Sequence, residues 1–261
     1  MKMKIMTFNV LNGWNTTHIG ERDDLAAAAI LQQTPDVLCL QEFDPCYRMA
    51  EQPLQQMIAP LYVEAGEEHT TWNPIFYNKE RVRLLAFGEE RFEKGTEYNY
   101  PKGGRSGFRT VCHALLEDVE SATRFLLLNL RYDTSKEWQT TVENQESESH
   151  QVLLLAKELM AKHSACALFV TGDYNAKIGG ISCTRMLENG FLDTHALALE
   201  KDDKGTCSRL GEPLWGDYAK GAIDHVFYMG EGTPRVLAYE TLEEFRAASD
   251  HAPVCVTVEL E

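Results

Sequence analysis

The chain has 261 residues, of which 44% are hydrophobic and 25% are charged, ordinary values for a globular protein that buries a substantial core. With 25 basic against 40 acidic residues the net charge is −15, which opposes non-specific binding to nucleic acid, because such binding depends on basic residues neutralising phosphates. No apolar run approaches the roughly 20 residues that a membrane span needs, and seven scattered Cys without a C-x-x-C pair favour the reducing cytoplasm.

Short apolar runs rich in β-branched and aromatic residues predict ten strands. In chain order they cover 3–10, 36–41, 74–78, 81–87, 109–117, 124–130, 166–172, 222–228, 235–239 and 253–259. In several runs the apolar residues are consecutive, as in Val37-Leu38-Cys39-Leu40. That pattern is typical of strands covered on both faces.

Three segments predict helices. Residues 23–33 are rich in Ala, and residues 149–162 carry an apolar stripe at helical spacing. A shorter helix near 184–189 would begin at Thr184 as N-cap and stop before Gly190.

The order of these elements indicates two halves of related build, forming a sandwich with mixed sheets inside and helices outside. We find no repeat and no linker composition, so we expect a single domain over 1–261. We also expect a monomer, and the acidic charge leads us to expect no stable nucleic-acid partner. The glycine-rich stretch 88–108 interrupts the pattern, and we interpret it as a loop over the functional site.

Five apolar runs begin or end in polar residues. These polar segments are Asn9, Gln41-Glu42, Gly172-Asp173-Tyr174-Asn175, Ile223-Asp224-His225 and Ser249-Asp250-His251. Each one alone is most often an ordinary turn or surface feature. Loops at strand ends converge on one edge of a sheet, however, so five such ends can meet in one cleft.

The side chains in these segments suit one chemistry. The oxygen ligands of Asn9, Glu42, Asp173, Asn175 and Asp250 fit Mg²⁺ or Mn²⁺, and no set of Cys or spaced His predicts zinc. A divalent cation would neutralise phosphate charge.

Proton transfer falls to a second pair of residues. His251 would take a proton from the attacking water, with Asp224 fixing its tautomer.

Taken together, these segments resemble the endonuclease/exonuclease/phosphatase superfamily, which has the deoxyribonuclease I-like fold. The matching blocks are Met6-Thr7-Phe8-Asn9-Val10, Pro35 through Glu42, Asn73-Pro74-Ile75-Phe76-Tyr77, Gly172 through Asn175, Ile223-Asp224-His225 and Ser249 through Val254. The resemblance implies an α+β fold, a four-layer αββα sandwich with two mixed sheets packed face to face and helices outside.

The resemblance also implies roles at matching positions. Glu42 would be the principal metal ligand, assisted by Asn9 and Asp250. Asp173 would bind a metal or orient the nucleophilic water, and Asn175 would contact phosphoryl oxygens. His251 would be the general base or a phosphate-contacting residue, with Asp224 as its partner.

One departure stands out. Many members carry an Asn-Thr-His-Leu block whose His assists the leaving group and pairs with a Glu. In this chain Arg131 stands at the position of that His, and Thr71 or Trp72 stands at the position of that Glu. Arg131 would stabilise charge on phosphate, or alternatively pair with a surface acid. Tyr132 would donate a proton or bind substrate, and Arg109 would contact phosphate.

The sequence therefore predicts a Mg²⁺-dependent hydrolase of a phosphodiester or phosphomonoester, with a phosphorylated small molecule or nucleic acid as substrate. One alternative is a DNA or RNA nuclease, which the acidic charge disfavours. The other is a non-catalytic binding protein that keeps the fold, which the complete polar set disfavours.

Overall fold

The computed structural model describes residues 1–12, 19–43, 53–66, 72–94, 109–134, 138–163 and 165–260. The strands are β1 (Lys2–Asn9), β2 (Val37–Gln41), β3 (Tyr62–Glu64), β4 (Ile75–Asn78), β5 (Val82–Arg91), β6 (Thr110–Asp118), β7 (Arg124–Arg131), β8 (Ala167–Asp173), β9 (Leu192–Asp193), β10 (Glu200–Lys201), β11 (Asp224–Gly230), β12 (Arg235–Thr241) and β13 (Val254–Glu259). The helices are α1 (Ile19–Gln33), α2 (Pro53–Ile58), α3 (Trp138–His163), α4 (Ile181–Glu188), α5 (Thr194–Leu197) and α6 (Tyr218–Gly221), with a 3₁₀ helix at Glu243–Phe245.

All ten predicted strands are confirmed, and β3, β9 and β10 are additional. These three have only two or three residues each, too short to show a period. The expected loop 88–108 is wrong at its start, because residues 88–91 continue β5. Its remainder from 95 onward lies outside the described residues.

The three predicted helices are present but longer. The helix expected at 149–162 begins at Trp138. Its added first half is rich in polar residues and lacks the apolar stripe on which the prediction rested. The proposed N-cap Thr184 is wrong, because α4 begins at Ile181 with Gly180 in the cap position. Its expected end is confirmed, since Gly190 follows the C-cap Asn189 with a left-handed φ of 87°.

The strands form two mixed sheets. The seven-stranded sheet has the order β10-β12-β13-β1-β2-β4-β3, and the six-stranded sheet has the order β5-β6-β7-β8-β11-β9. The parallel pair β1–β2 encloses α1 in sequence, and the parallel pair β7–β8 encloses α3. Each parallel connection thus carries its helix onto the outer face of its own sheet.

Three apolar clusters separate four layers. The cluster between the sheets contains Ile5 and Val256 from one sheet and Leu127 and Phe169 from the other. A second cluster joins α1 and α2 to the seven-stranded sheet, and a third joins α3 and α4 to the six-stranded sheet. The predicted α+β sandwich with helices outside is therefore confirmed.

Buried amides cross the layer between the sheets. Gln41 Nε2 donates to Asn129 Oδ1 at 2.7 Å, and Asn129 Nδ2 donates to the carbonyls of Leu40 and Pro74 at 2.8 and 2.9 Å. Buried polar groups are costly unless bonded, so these directional contacts fix how one sheet sits on the other.

β5 lies at one end of the six-stranded sheet and pairs with β6 through nine of its ten residues. The register shifts between Leu84 and Ala86, which marks a bulge. Among the described residues, no helix is both long enough and apolar enough to cross a membrane.

Candidate active site

The polar ends of three strands meet where the two sheets face each other. Asn9 ends β1, Glu42 follows β2, and Asp173 ends β8. Asn9 Nδ2 donates to Glu42 Oε1 at 3.2 Å and to Asp173 Oδ2 at 3.1 Å, so one buried amide joins both sheets. The structure therefore brings these three predicted residues together.

Glu42 is held by donors on both carboxylate oxygens. Asn12 donates to Oε2 from its backbone N at 3.1 Å and from its side chain, and Arg131 Nη2 lies 2.8 Å from Oε1. Burial alone would raise the pKa of Glu42, but Arg131 and the Asn12 and Asn9 donors outweigh it and lower the pKa to about 2. Glu42 is therefore an anion at neutral pH.

Arg131 bridges two carboxylates of the cleft. It ends β7 directly beside Asp173, because the parallel register pairs these two residues. Its Nε lies 3.2 Å from Asp173 Oδ2 while Nη2 reaches Glu42, and the side chain is only 11% exposed. The alternative of a pair with a surface acid is wrong, since both partners are buried.

The Gly-Asp-Tyr-Asn turn presents Asp173 and Asn175 to the same cleft. The backbone N of Asn175 donates to Asp173 Oδ1 at 2.9 Å, and its Nδ2 donates to the Tyr132 carbonyl at 2.9 Å. Asn175 is held at φ 47°, a left-handed conformation that persists where surrounding contacts enforce it. Gly172 is required before it, because at φ 140° a Cβ would lie 1.9 Å from the Leu130 carbonyl oxygen.

His251 and Asp224 form the predicted pair. His251 Nδ1 lies 2.8 Å from Asp224 Oδ2, and Thr206 Oγ1 donates to that same oxygen at 2.5 Å. Burial disfavours the charged ring, but the Asp224 carboxylate, aided by Asp173 and Asp250, raises the pKa of His251 above its usual range. The raised pKa favours the protonated ring, which of its two predicted roles suits donation to a phosphoryl oxygen better than proton abstraction.

Asp250 is positioned by the segment that precedes the last strand. Ser249 Oγ donates to the Asn9 carbonyl at 2.6 Å, and Asp250 O accepts from Ser208 N at 2.8 Å. Burial raises the pKa of Asp250, against the lowering effect of His251, and the Glu42 and Asp173 charges add to the increase. Asp250 thus lies among like charges.

The carboxylates fit a divalent cation. Ligand atoms of Asp173, Asp224 and His251 lie within 4.8 Å of one another, and Asn9 and Arg131 each contact both Glu42 and Asp173. Burial is the main cause of the raised pKa of Asp250, and the charges of Glu42 and Asp173 raise it further. Such a crowded set of hard oxygen ligands is what magnesium-like ions bind.

Two predicted substrate-binding side chains lie away from this cluster. Tyr132 is fully buried in the cluster under α3, with its ring 5.1 Å from that of Tyr174. Arg109 is 6% exposed, donates to the Tyr132 carbonyl and lies 3.1 Å from Asp133 Oδ1. The Tyr132 ring is therefore packed in the core. Arg109 contacts the site indirectly, because the Tyr132 carbonyl to which it donates also accepts from Asn175 Nδ2.

Other candidates contribute less. Trp72, one expected position for the missing Glu, is 8% exposed, and Thr71 lies outside the described residues.

Several residues that hold the site were not predicted. Arg22, on α1, donates to the carbonyls of Val10, Leu11 and Ala248 and so links the segments after β1 and before Asp250. Asn12, Thr206 and Ser249 also hold site residues through hydrogen bonds. For structural polar residues of this kind the sequence offers one signal, a polar residue inside an apolar run. Asn129 in the layer between the sheets is an example.

The match to known families agrees with this geometry. The model of the Endonuclease/Exonuclease/phosphatase family matches residues 6–251. The chain belongs to this family. Its members are typically hydrolases that act on phosphoesters and usually use a divalent metal. No curated protein matches the chain in sequence.

Solved structures of the family share the fold at low identity. A Bacteroides thetaiotaomicron family protein has a TM-score of 0.79 and 19% identity, covering 100% of this chain and 99% of its own. The mannosyl-6-phosphatase of the same organism has a TM-score of 0.78 and 19% identity, covering 99% and 100%. TDP2 of D. rerio, complexed with a single-stranded DNA product, has a TM-score of 0.69 and 17% identity, covering 99% of each chain.

Proposed function

We propose that this protein is a Mg²⁺-dependent phosphoesterase, with Mn²⁺ as an alternative ion, that hydrolyses a phosphorylated small molecule. The observation that carries the proposal is the contact chain from Asn9 through Glu42 and Arg131 to Asp173, which joins both sheets in one acidic cleft. A protein that only kept the fold would have no need for this buried, charged arrangement, because buried charges are costly.

Glu42 would hold the metal as principal ligand, with Asn9 and Asp250 assisting. When bound, the cation neutralises phosphate charge and polarises the scissile P–O bond. Glu42 suits this role because its low pKa keeps it ionised. Asp250 suits it because its carboxyl lies among like charges.

The protein's own groups would then act on the phosphoryl centre. Asp173 orients the attacking water and accepts its proton as the water oxygen bonds to phosphorus, while the bond from phosphorus to the leaving oxygen breaks and that oxygen takes a proton from solvent. Asn175, whose Nδ2 donates to the Tyr132 carbonyl and to Asp173 Oδ2, would turn this amide toward the phosphoryl oxygens when substrate binds. Arg131 adds a guanidinium to the charge that develops there, and His251, held by Asp224, donates a hydrogen bond to it.

The charge of the chain favours a small substrate. At −15 the protein repels an extended polyanion, whereas a single phosphoester meets Arg131 and the metal at close range. Among similar folds, one is a mannosyl-6-phosphatase and another was solved with a DNA product, so the family fold supports both substrate classes.

The test is a hydrolysis assay on a chromogenic phosphomonoester, a chromogenic phosphodiester, and single- and double-stranded DNA, with and without EDTA. We expect turnover of a small ester that EDTA abolishes and Mg²⁺ restores. Glu42→Gln and His251→Gln should each lower kcat by at least about a hundredfold. Glu200→Gln and His150→Gln make the same chemical changes at exposed positions and should leave the rate unchanged.

The outcomes separate the alternatives. Turnover of DNA in preference to small esters would favour the nuclease. No turnover and no binding of a divalent ion would favour the non-catalytic binding protein. EDTA-resistant turnover would refute the metal requirement while leaving hydrolysis in place.

A further inference from the structure

Arg131 contacts the same oxygens that a metal would use. Its Nη2 lies 2.8 Å from Glu42 Oε1, and its Nε lies 3.2 Å from Asp173 Oδ2. Asn9 Nδ2 also donates to Glu42 Oε1 at 3.2 Å, so this oxygen already has two donors. The guanidinium therefore lies against carboxylate oxygens that a metal held by Glu42 and Asp173 would need.

A guanidinium and a divalent cation cannot share this face without a cost. Both are positive, and their repulsion is strong at contact distance where the surrounding side chains are buried. Glu42 is 6% exposed and Asp173 is 0% exposed, so water screens this charge poorly. Metal binding would have to displace Arg131 or work against it.

Phosphate offers Arg131 another partner. A guanidinium binds phosphate oxygens through the same planar fork with which it binds carboxylates. Arg131 ends β7 at the edge of the cleft, and its long side chain can change partners while its backbone stays in the sheet. His251 is a second cationic side chain of the cleft, and Asp224 holds it at 2.8 Å.

We propose that Arg131 competes with the divalent cation for Glu42 and Asp173 and moves to the phosphate of the substrate, so that metal binding and phosphate binding strengthen each other. This inference rests on the proposed metal site. Arg131, which stands where many family members have a His, would then control metal affinity as well as stabilise the charge that develops on the phosphate. By linkage, each ligand raises the affinity of the other by the same factor.

The test measures Mn²⁺ affinity by calorimetry or electron paramagnetic resonance, with and without inorganic phosphate as the probe. The variants are Arg131→Gln and Arg131→Lys, and the control is Arg124→Gln. Arg124 lies at the other end of β7, is 56% exposed and pairs with Glu117 at 3.1 Å, so its removal changes the net charge equally. Thermal unfolding of each variant establishes that it is folded.

Without phosphate, we expect Arg131→Gln to bind Mn²⁺ at least about tenfold more tightly than the unchanged protein, because the competing charge is gone. Arg131→Lys, which keeps the charge, should remain within about threefold of the unchanged protein. Phosphate should tighten Mn²⁺ binding by about tenfold in the unchanged protein and by clearly less in Arg131→Gln.

If Arg131→Gln binds Mn²⁺ equally or more weakly, or if phosphate acts equally on both proteins, the competition is refuted while the metal-dependent function stands. If neither the unchanged protein nor Arg131→Gln binds Mn²⁺, the proposed metal site and the competition both fail.

Discussion

Replacing Glu148 with Gln keeps the shape of a buried side chain but removes its ability to ionise. Glu148 lies on α3 beneath the cleft and is 0% exposed. Its Oε2 accepts from the Asp133 backbone N at 2.8 Å, while its Oε1 has no hydrogen-bond partner within the described part of the chain. Burial raises the pKa of Glu148 to about 8, although the Arg109 charge and the Asp133 donor act in the opposite direction.

The sign of the effect follows from this raised pKa. The folded protein holds the Glu148 proton more tightly than the unfolded chain, so stability falls as the pH rises from about 4.5 to about 8. A shift from 4.5 to about 8 corresponds to a loss of about 5 kcal/mol once the group is ionised in both states. The amide of the Glu148→Gln variant cannot ionise, so this variant should be spared the loss.

The assay is urea unfolding of both proteins at pH 5, 7 and 9. We expect similar stability at pH 5 and an advantage of several kcal/mol for Glu148→Gln at pH 9. Glu158→Gln, at an exposed position on the same helix, is the matched control and should follow the unchanged protein. Parallel stability curves for Glu148→Gln and the unchanged protein would refute the reasoning.

Three further changes test how the site is held. Gly172→Ala should destabilise by at least about 3 kcal/mol in thermal unfolding, because its Cβ would meet the Leu130 carbonyl; a normal melting temperature would contradict this. Asn129→Leu should cost about 2–4 kcal/mol in urea unfolding, since it removes hydrogen bonds to two buried carbonyls, and a cost under about 1 kcal/mol would count against the sheet-to-sheet link. Thr206→Val should lower kcat about tenfold with little change in KM, because it removes the hydroxyl that donates to Asp224. An unchanged kcat would show that the hydrogen bond from Thr206 to Asp224 is dispensable.

The fold was predictable to the extent that its elements have a period. The ten strands visible in the sequence are long enough to show apolar runs, whereas β9 and β10 span two residues each and exist only because neighbouring strands accept them. The early start of α3 was hidden for a related reason. Its first residues pack partly against the polar loop ends, as when Gln145 Nε2 donates to the Asp133 carbonyl at 2.8 Å.

The convergence of the polar strand ends was predictable, but the direction of individual side chains was not. Along β7, Phe125 and Leu127 face the layer between the sheets, while Leu128 and Leu130 face α3. This alternation is that of a strand, where successive side chains point to opposite faces. It turns Arg131 toward the carboxylates and Tyr132 away from them, so both could not serve the cleft as expected.

Residues that act through backbone carbonyls were also hidden. Arg22 binds main-chain oxygens that are remote in sequence, and no side-chain pattern marks such partners. The same holds for Arg109, which acts on Asn175 through the carbonyl of Tyr132. Tertiary contacts of this kind follow from the assembled fold alone.

The position of β5 at the end of its sheet has a consequence for solubility. An edge strand can present backbone donors and acceptors with which a strand of another chain could pair. Here the bulge between Leu84 and Ala86 breaks the regular spacing, and the strand ends in Glu89, Glu90 and Arg91. These features oppose edge-to-edge aggregation, so smoothing the bulge or neutralising the two glutamates would turn this edge into a site for chain-to-chain β-pairing.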